Sequence, residues 1–122
     1  MKRTNMDNYY CQYDVKRGDI YFINLGGSEN RGSEQQGLRP CLVIQNDTGN
    51  KFSPTIIVVP LTSKVKKLMP THVQFNLKGT ESVILCEHIR TVSKQRIVEY
   101  IDYIDVRTLE KVEKALLTSL GF

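Results

Sequence analysis

The sequence contains no Cys-x-x-Cys pair, no His-x-x-x-His element and only three cysteines, Cys11, Cys41 and Cys86, in 122 residues. An odd count without paired spacing argues against a disulfide framework and against the common zinc sites. Cys41 and Cys86 sit in the apolar runs Cys-Leu-Val-Ile and Val-Ile-Leu-Cys, where a thiol serves as a small core residue in a reducing cytosol. No stretch approaches the roughly 20 apolar residues of a membrane span. The opening MKRTNMDNYYCQYD also lacks the apolar segment of a signal peptide, and a cytoplasmic location is expected. Finally, the glycine-rich segment between residues 26 and 40 lacks the G-x-x-x-x-G-K-[ST] spacing of a nucleotide-binding P-loop.

What is present suits one ordinary globular domain. The length falls in the commonest domain range, and 40% hydrophobic with 25% charged residues is enough to bury a core without covalent staples. The net charge of +4 is uneven. Residues 97–122 hold five acids and three bases, a balance of −2, which leaves +6 on residues 1–96. A basic excess of this size favours polyanions through counterion release, although many proteins that bind none are equally basic.

Residues 1–14 are polar and without period, and read as a flexible extension ahead of a domain at 15–122. Short β-branched runs at 20–25, 40–45 and 55–61 predict strands, the last with a bend or sheet edge at Pro60. Residues 72–77 alternate Val73, Phe75 and Leu77 with polar neighbours. Segments 82–87 and 89–92 predict one bent strand or two, and 97–104 a last extended stretch with some helical character. Leu109, Val112, Leu116 and Leu120 recur at helical spacing, with Asp105 or Thr108 to cap the helix and Gly121 to stop it. The fold class is therefore mostly β with a C-terminal helix (α+β), in a small, partly open barrel.

Two loops carry the candidate chemistry. The first, residues 26–40, is longer than a connector requires and ends at Arg39, directly before a strand and Pro40. A guanidinium there matches two phosphate oxygens at once and stays charged at any working pH. The plain alternative is a surface arginine paired with Glu34. The second loop, Thr62-Ser63-Lys64-Val65-Lys66-Lys67, offers two hydroxyls at a strand end and then three lysines, suited to phosphate or simply to solvent. His72 and His88 are the available acid–base groups, so a two-histidine ribonuclease is an open reading.

Beyond these single features, an ordered set of segments resembles the MazF/PemK family of toxin endoribonucleases, its Gram-positive branch in particular. It runs Val15-Lys16-Arg17-Gly18-Asp19-Ile20-Tyr21, Gly32-Ser33-Glu34-Gln35-Gln36-Gly37-Leu38-Arg39-Pro40, Pro60-Leu61-Thr62-Ser63, Pro70-Thr71-His72-Val73 and Ile89-Arg90-Thr91. The resemblance spans about Val15 to Leu120. It implies an SH3-like, partly open barrel of the MazF/CcdB type, acting as a homodimer with single-stranded RNA across the interface. It implies cleavage without a metal, leaving 2′,3′-cyclic phosphate and 5′-hydroxyl ends, and a MazE-like antitoxin whose acidic segment occupies the RNA groove. It assigns Arg39 and Thr62 as catalytic and Ser33, Glu34, Gln35, Ser63, Lys64 and His88 as RNA-binding. An arginine with a pKa above about 12 is a poor base, so charge stabilisation is the better-founded role for Arg39. Two departures from the family pattern stand out: extra residues Ser28-Glu29-Asn30-Arg31 in the first loop, and His88 where relatives carry glutamine. Competing readings are a CcdB-like toxin that binds gyrase, and a degenerate relative that binds RNA or antitoxin without cutting.

Overall fold

The computed structural model describes residues 11–26 and 37–122; Ser33, Glu34 and Gln35, and the added Ser28–Arg31 stretch, lie outside the described residues. Among the described residues, seven strands and two helices follow in the order β1 (Asp19–Asn24), β2 (Leu38–Val43), α1 (Asp47–Phe52), β3 (Thr55–Thr62), β4 (His72–Leu77), β5 (Thr80–Leu85), β6 (Arg90–Ser93), β7 (Ile97–Tyr103) and α2 (Val106–Leu120). A 3-10 turn, Lys94–Arg96, joins β6 to β7. The strands form one antiparallel sheet in the order β4-β5-β3-β2-β1-β7, with β6 also on β3. This is the curled, open, mostly β sheet with a terminal helix that the sequence predicts.

Alternation along the central strands explains the curl. Ile20, Leu42, Val59 and Leu61 face one core, which α2 closes with Val112 and Ala115. Tyr21, Ile23, Cys41, Val43, Ile56 and Val58 face a second core with Val15 and Val92. Both faces of β1–β3 are thus covered, which is why their sequences read as continuous apolar runs.

Several boundaries differ from expectation. β3 is central rather than an edge, and Pro60 is fully buried within it. Its proline nitrogen is accommodated because β3 pairs with β6 from Thr55 to Val58 and with β5 only from Leu61 to Thr62. Pro60 falls in the gap, where no donor is needed on that side. The segments expected at 82–87 and 89–92 are two strands, each serving a different half of β3. The stretch expected at 97–104 is strand from Ile97 to Tyr103, paired with β1 on the side away from β2.

Helix α2 is capped as expected: the Asp105 side chain accepts from the Thr108 N–H, and Gly121 ends the helix at φ 82°. The stripe is shorter than its spacing suggests, since Val112 and Ala115 are buried while Leu120 is 58% exposed. Helix α1 was not anticipated. Asn46 caps it by accepting from the Gly49 N–H at 2.8 Å, but six residues leave no periodicity to read.

Candidate active site

Arg39 and Thr62 come together through strand register. β2 pairs with β3 at Cys41↔Pro60, Leu42↔Val59 and Val43↔Val58. Continuing that antiparallel ladder by two residues sets Arg39 opposite Thr62. Both are strand residues: β2 begins at Leu38, so Arg39 lies inside it, and Thr62 is the last residue of β3. The sequence had placed the first at the end of a loop and the second at the start of one. A strand position holds each Cα more firmly than a loop does, which suits a group that must meet a transition state.

The two residues border one cavity of about 370 Å³. Ser63 and Lys64 join them, and Phe22, Pro40, Leu61, Leu77 and Ile101 give apolar wall, while Lys78, Thr80 and Ser82 complete it from the β4–β5 hairpin. The charged side chains on this wall, Arg39, Lys64 and Lys78, are all cationic. The Thr62 hydroxyl oxygen accepts the Lys64 N–H at 3.2 Å, which leaves its own O–H to donate into the cavity. Arg39 is half-buried and Thr62 partly covered, so both remain in reach of a bound strand.

The base of the first loop is closed tightly. Leu25 N–H donates to Gly37 O at 2.8 Å, and Gly37 N–H to Gly26 O at 2.9 Å. Both glycines have positive φ, 114° and 77°, a conformation that side chains resist. Arg90 and Arg96 clamp the same point from across the fold, donating to the carbonyls of Leu25 and Asn24. The described ends of the loop, Gly26 and Gly37, are therefore held together, and Gly37 lies two residues before Arg39. The clamp by Arg90 and Arg96 was invisible in sequence, because it joins residues 65 and 72 positions apart.

His88 is not brought to this cavity. It sits in the β5–β6 turn with its Nε2 3.7 Å from the Glu87 carboxylate. His72 is likewise elsewhere, on the wall of a second cavity of about 350 Å³ between β4 and α2. Its Nδ1 accepts the Met69 N–H and its Nε2 lies 3.0 Å from Glu87, so Nε2 carries the proton of the neutral ring. Burial pushes the Glu87 carboxyl up, but hydrogen bonds from His72, its own backbone N–H and Thr71 outweigh that and hold it below its ordinary value. The histidine pair is thus committed to Glu87 rather than to the Arg39–Thr62 cavity.

Nor is a thiol a candidate nucleophile. Burial pushes Cys41 up to about 12, against the opposing charges of Arg90 and Arg39. Cys86 is pushed up to about 12 by burial and by Glu87. Among the described residues no group of three or more His, Cys, Asp or Glu side chains is placed to hold a metal ion, and no helix is long and apolar enough to cross a membrane.

Comparison with known proteins follows the same lines. Residues 16–120 match the model of a family described as the PemK-like, MazF-like toxin of type II toxin–antitoxin systems. The chain is 50% identical over 112 residues to Endoribonuclease EndoA of Bacillus subtilis (strain 168), covering 88% of this chain and 95% of that one. The fold superposes on the crystal structure of MazF from Deinococcus radiodurans with a TM-score of 0.77 at 26% identity, covering 91% of this chain and all of that one. A MazE–MazF structure from the same organism gives a TM-score of 0.73 at 27% identity, over 91% and 99% of the two chains.

Proposed function

The chain belongs to the PemK-like, MazF-like family of type II toxins, and from that premise we propose that the cavity holding Arg39 and Thr62 is where it cuts RNA. The protein is a toxin endoribonuclease that cleaves single-stranded RNA and so inhibits translation. The observation that carries the site is the β2–β3 register, which puts Arg39 beside Thr62 on a wall whose charges are all positive.

The chemistry follows from those groups. The ribose 2′-oxygen attacks the adjacent phosphorus as its proton leaves, the bond to the 5′-oxygen breaks, and that oxygen takes up a proton. The products are a 2′,3′-cyclic phosphate and a 5′-hydroxyl. Negative charge grows on the phosphoryl oxygens in between, and Arg39 and the Thr62 hydroxyl are donors aimed at it. Ser63 and Lys64 hold the strand on the same wall, and Ser33, Glu34 and Gln35, outside the described residues, join the RNA-binding set on the family resemblance alone. His88 lies outside this cavity, in the β5–β6 turn beside Glu87, so the RNA contact that the resemblance assigns to it would be with a flanking nucleotide. Such a reaction uses the RNA's own hydroxyl and runs without a metal.

The working form is a cytoplasmic homodimer, held in check by a cognate MazE-like antitoxin. A MazE–MazF pair is the content of the Deinococcus radiodurans structure, and this chain covers 99% of the matched chain in it. The gyrase-binding alternative is not favoured, since half the aligned residues are identical to those of an endoribonuclease.

The test is to incubate protein whose solution mass is twice 14.0 kDa with a long RNA in EDTA, and to map the ends. Cleavage to cyclic-phosphate ends that disappears in Arg39→Ala is expected. Intact RNA, cleavage that needs a metal, or cleavage that survives Arg39→Ala would overturn the reading, and a monomer mass would remove the dimer.

A further inference from the structure

The β4–β5 hairpin turns in two residues, since Leu77 pairs with Thr80 and leaves only Lys78 and Gly79 between the strands. Both have positive φ, 51° and 91°, and Lys78 is the one non-glycine residue in that conformation among the described residues. Two-residue turns of this kind favour Asn-Gly or Asp-Gly, and a lysine at the first position is strained by about 1 kcal/mol. The turn is otherwise well made, with the Asn76 side chain accepting the Gly79 N–H at 2.8 Å. Nothing in the turn itself calls for a lysine.

Its position does. β5 pairs with β3 at Thr62↔Val83, and from the tip of the hairpin beyond that pair Lys78 lines the same cavity as Arg39, Thr62, Lys64 and Ser82. None of the salt bridges among the described residues engages Lys78. Arg39 and Thr62 occupy the scissile phosphate, whereas a single strand carries a charge at every nucleotide and is tracked by a row of cations.

We propose that Lys78, held at the hairpin tip on the wall of the cavity that Thr62 lines, binds an RNA phosphate next to the scissile one and positions the strand for cleavage. The inference rests on the reading of this cavity as the cleavage site. Lys78 touches no reacting atom, so its effect falls on binding.

The experiment compares wild type, Lys78→Asn and Lys78→Arg on a short single-stranded oligoribonucleotide over a series of salt concentrations. Asparagine suits the turn and removes the charge, so Lys78→Asn is expected to melt at or above the wild-type temperature. Its KM rises about 3- to 10-fold at low salt with kcat within about twofold, and the slope of log(kcat/KM) against log[salt] becomes shallower by about 0.7. Lys78→Arg restores both. Wild-type KM and slope in Lys78→Asn, or a fall in kcat alone, would overturn the proposal. If the wild-type chain itself leaves RNA intact, the reading of the cavity fails instead.

Discussion

In the proposed reaction Thr62 does two things with one oxygen, accepting the Lys64 N–H at 3.2 Å while donating its proton toward substrate. A valine of the same shape keeps the strand and loses both. Thr62→Val is therefore expected to lower kcat by about 100-fold with an unchanged fold, because one donor to a developing oxyanion is worth roughly that much. Thr62→Ser retains the hydroxyl and stays within about tenfold of wild type in single-turnover rates. Equal losses in the two variants would take the hydroxyl out of the chemistry. Glu87 supports the structure by a different route, through hydrogen bonds from His72 and Thr71. Its folded carboxyl lies below its ordinary 4.5, so the stability it contributes is present above that pH and is lost as pH falls through the lower folded value. Melting curves of wild type and Glu87→Gln should then differ by about 1 kcal/mol near neutrality and converge in acid. A gap that widens as pH falls would contradict the assignment.

At the level of whole elements, α2 separates a stripe that spacing suggests from the stripe that packing uses. Val112 is fully buried against the β1–β3 face, whereas Leu120 is mostly exposed. Val112→Ala should cost about 2 kcal/mol in chemical denaturation, and Leu120→Ala within about 0.5 kcal/mol of nothing in the isolated chain. Comparable losses at both positions would mean that Leu120 is covered in solution. The strands at 72–77 and 55–61, the helix and its Asp105 cap were legible because each rests on a local pattern. What could not be read were features set by pairing. The fit of Pro60 depends on where β6 stops and β5 begins, and the meeting of Arg39 with Thr62 depends on the β2–β3 register. Arg39 and Thr62 were paired only through the family resemblance; spacing alone left Arg39 open between a phosphate ligand and a surface arginine. Lys78 was missed because a two-residue turn shows no period, and its conformation appears only in the folded backbone.

Over the whole molecule the charge is polarised, +6 on residues 1–96 against −2 on the last 26, and the cations at the Arg39–Thr62 cavity belong to the positive part. The same field that concentrates RNA phosphates there attracts any flexible acidic chain, since both release counterions on binding. An antitoxin segment rich in acids would accordingly compete with RNA for one surface rather than act at a distance. A synthetic acidic peptide should raise KM for an oligoribonucleotide and leave kcat unchanged. Because it binds only the folded toxin, it should also raise the melting temperature with peptide concentration. Both effects should weaken with added salt, and in Lys78→Asn the peptide should lose affinity along with the RNA. Inhibition that lowers kcat at saturating RNA would place the peptide elsewhere, with the groove between β4 and α2 that carries Lys111 and Lys114 as the next surface to test. The competitive outcome is the one that the charge distribution requires, because the cavity wall offers an acidic peptide the same three cations that it offers a phosphate chain.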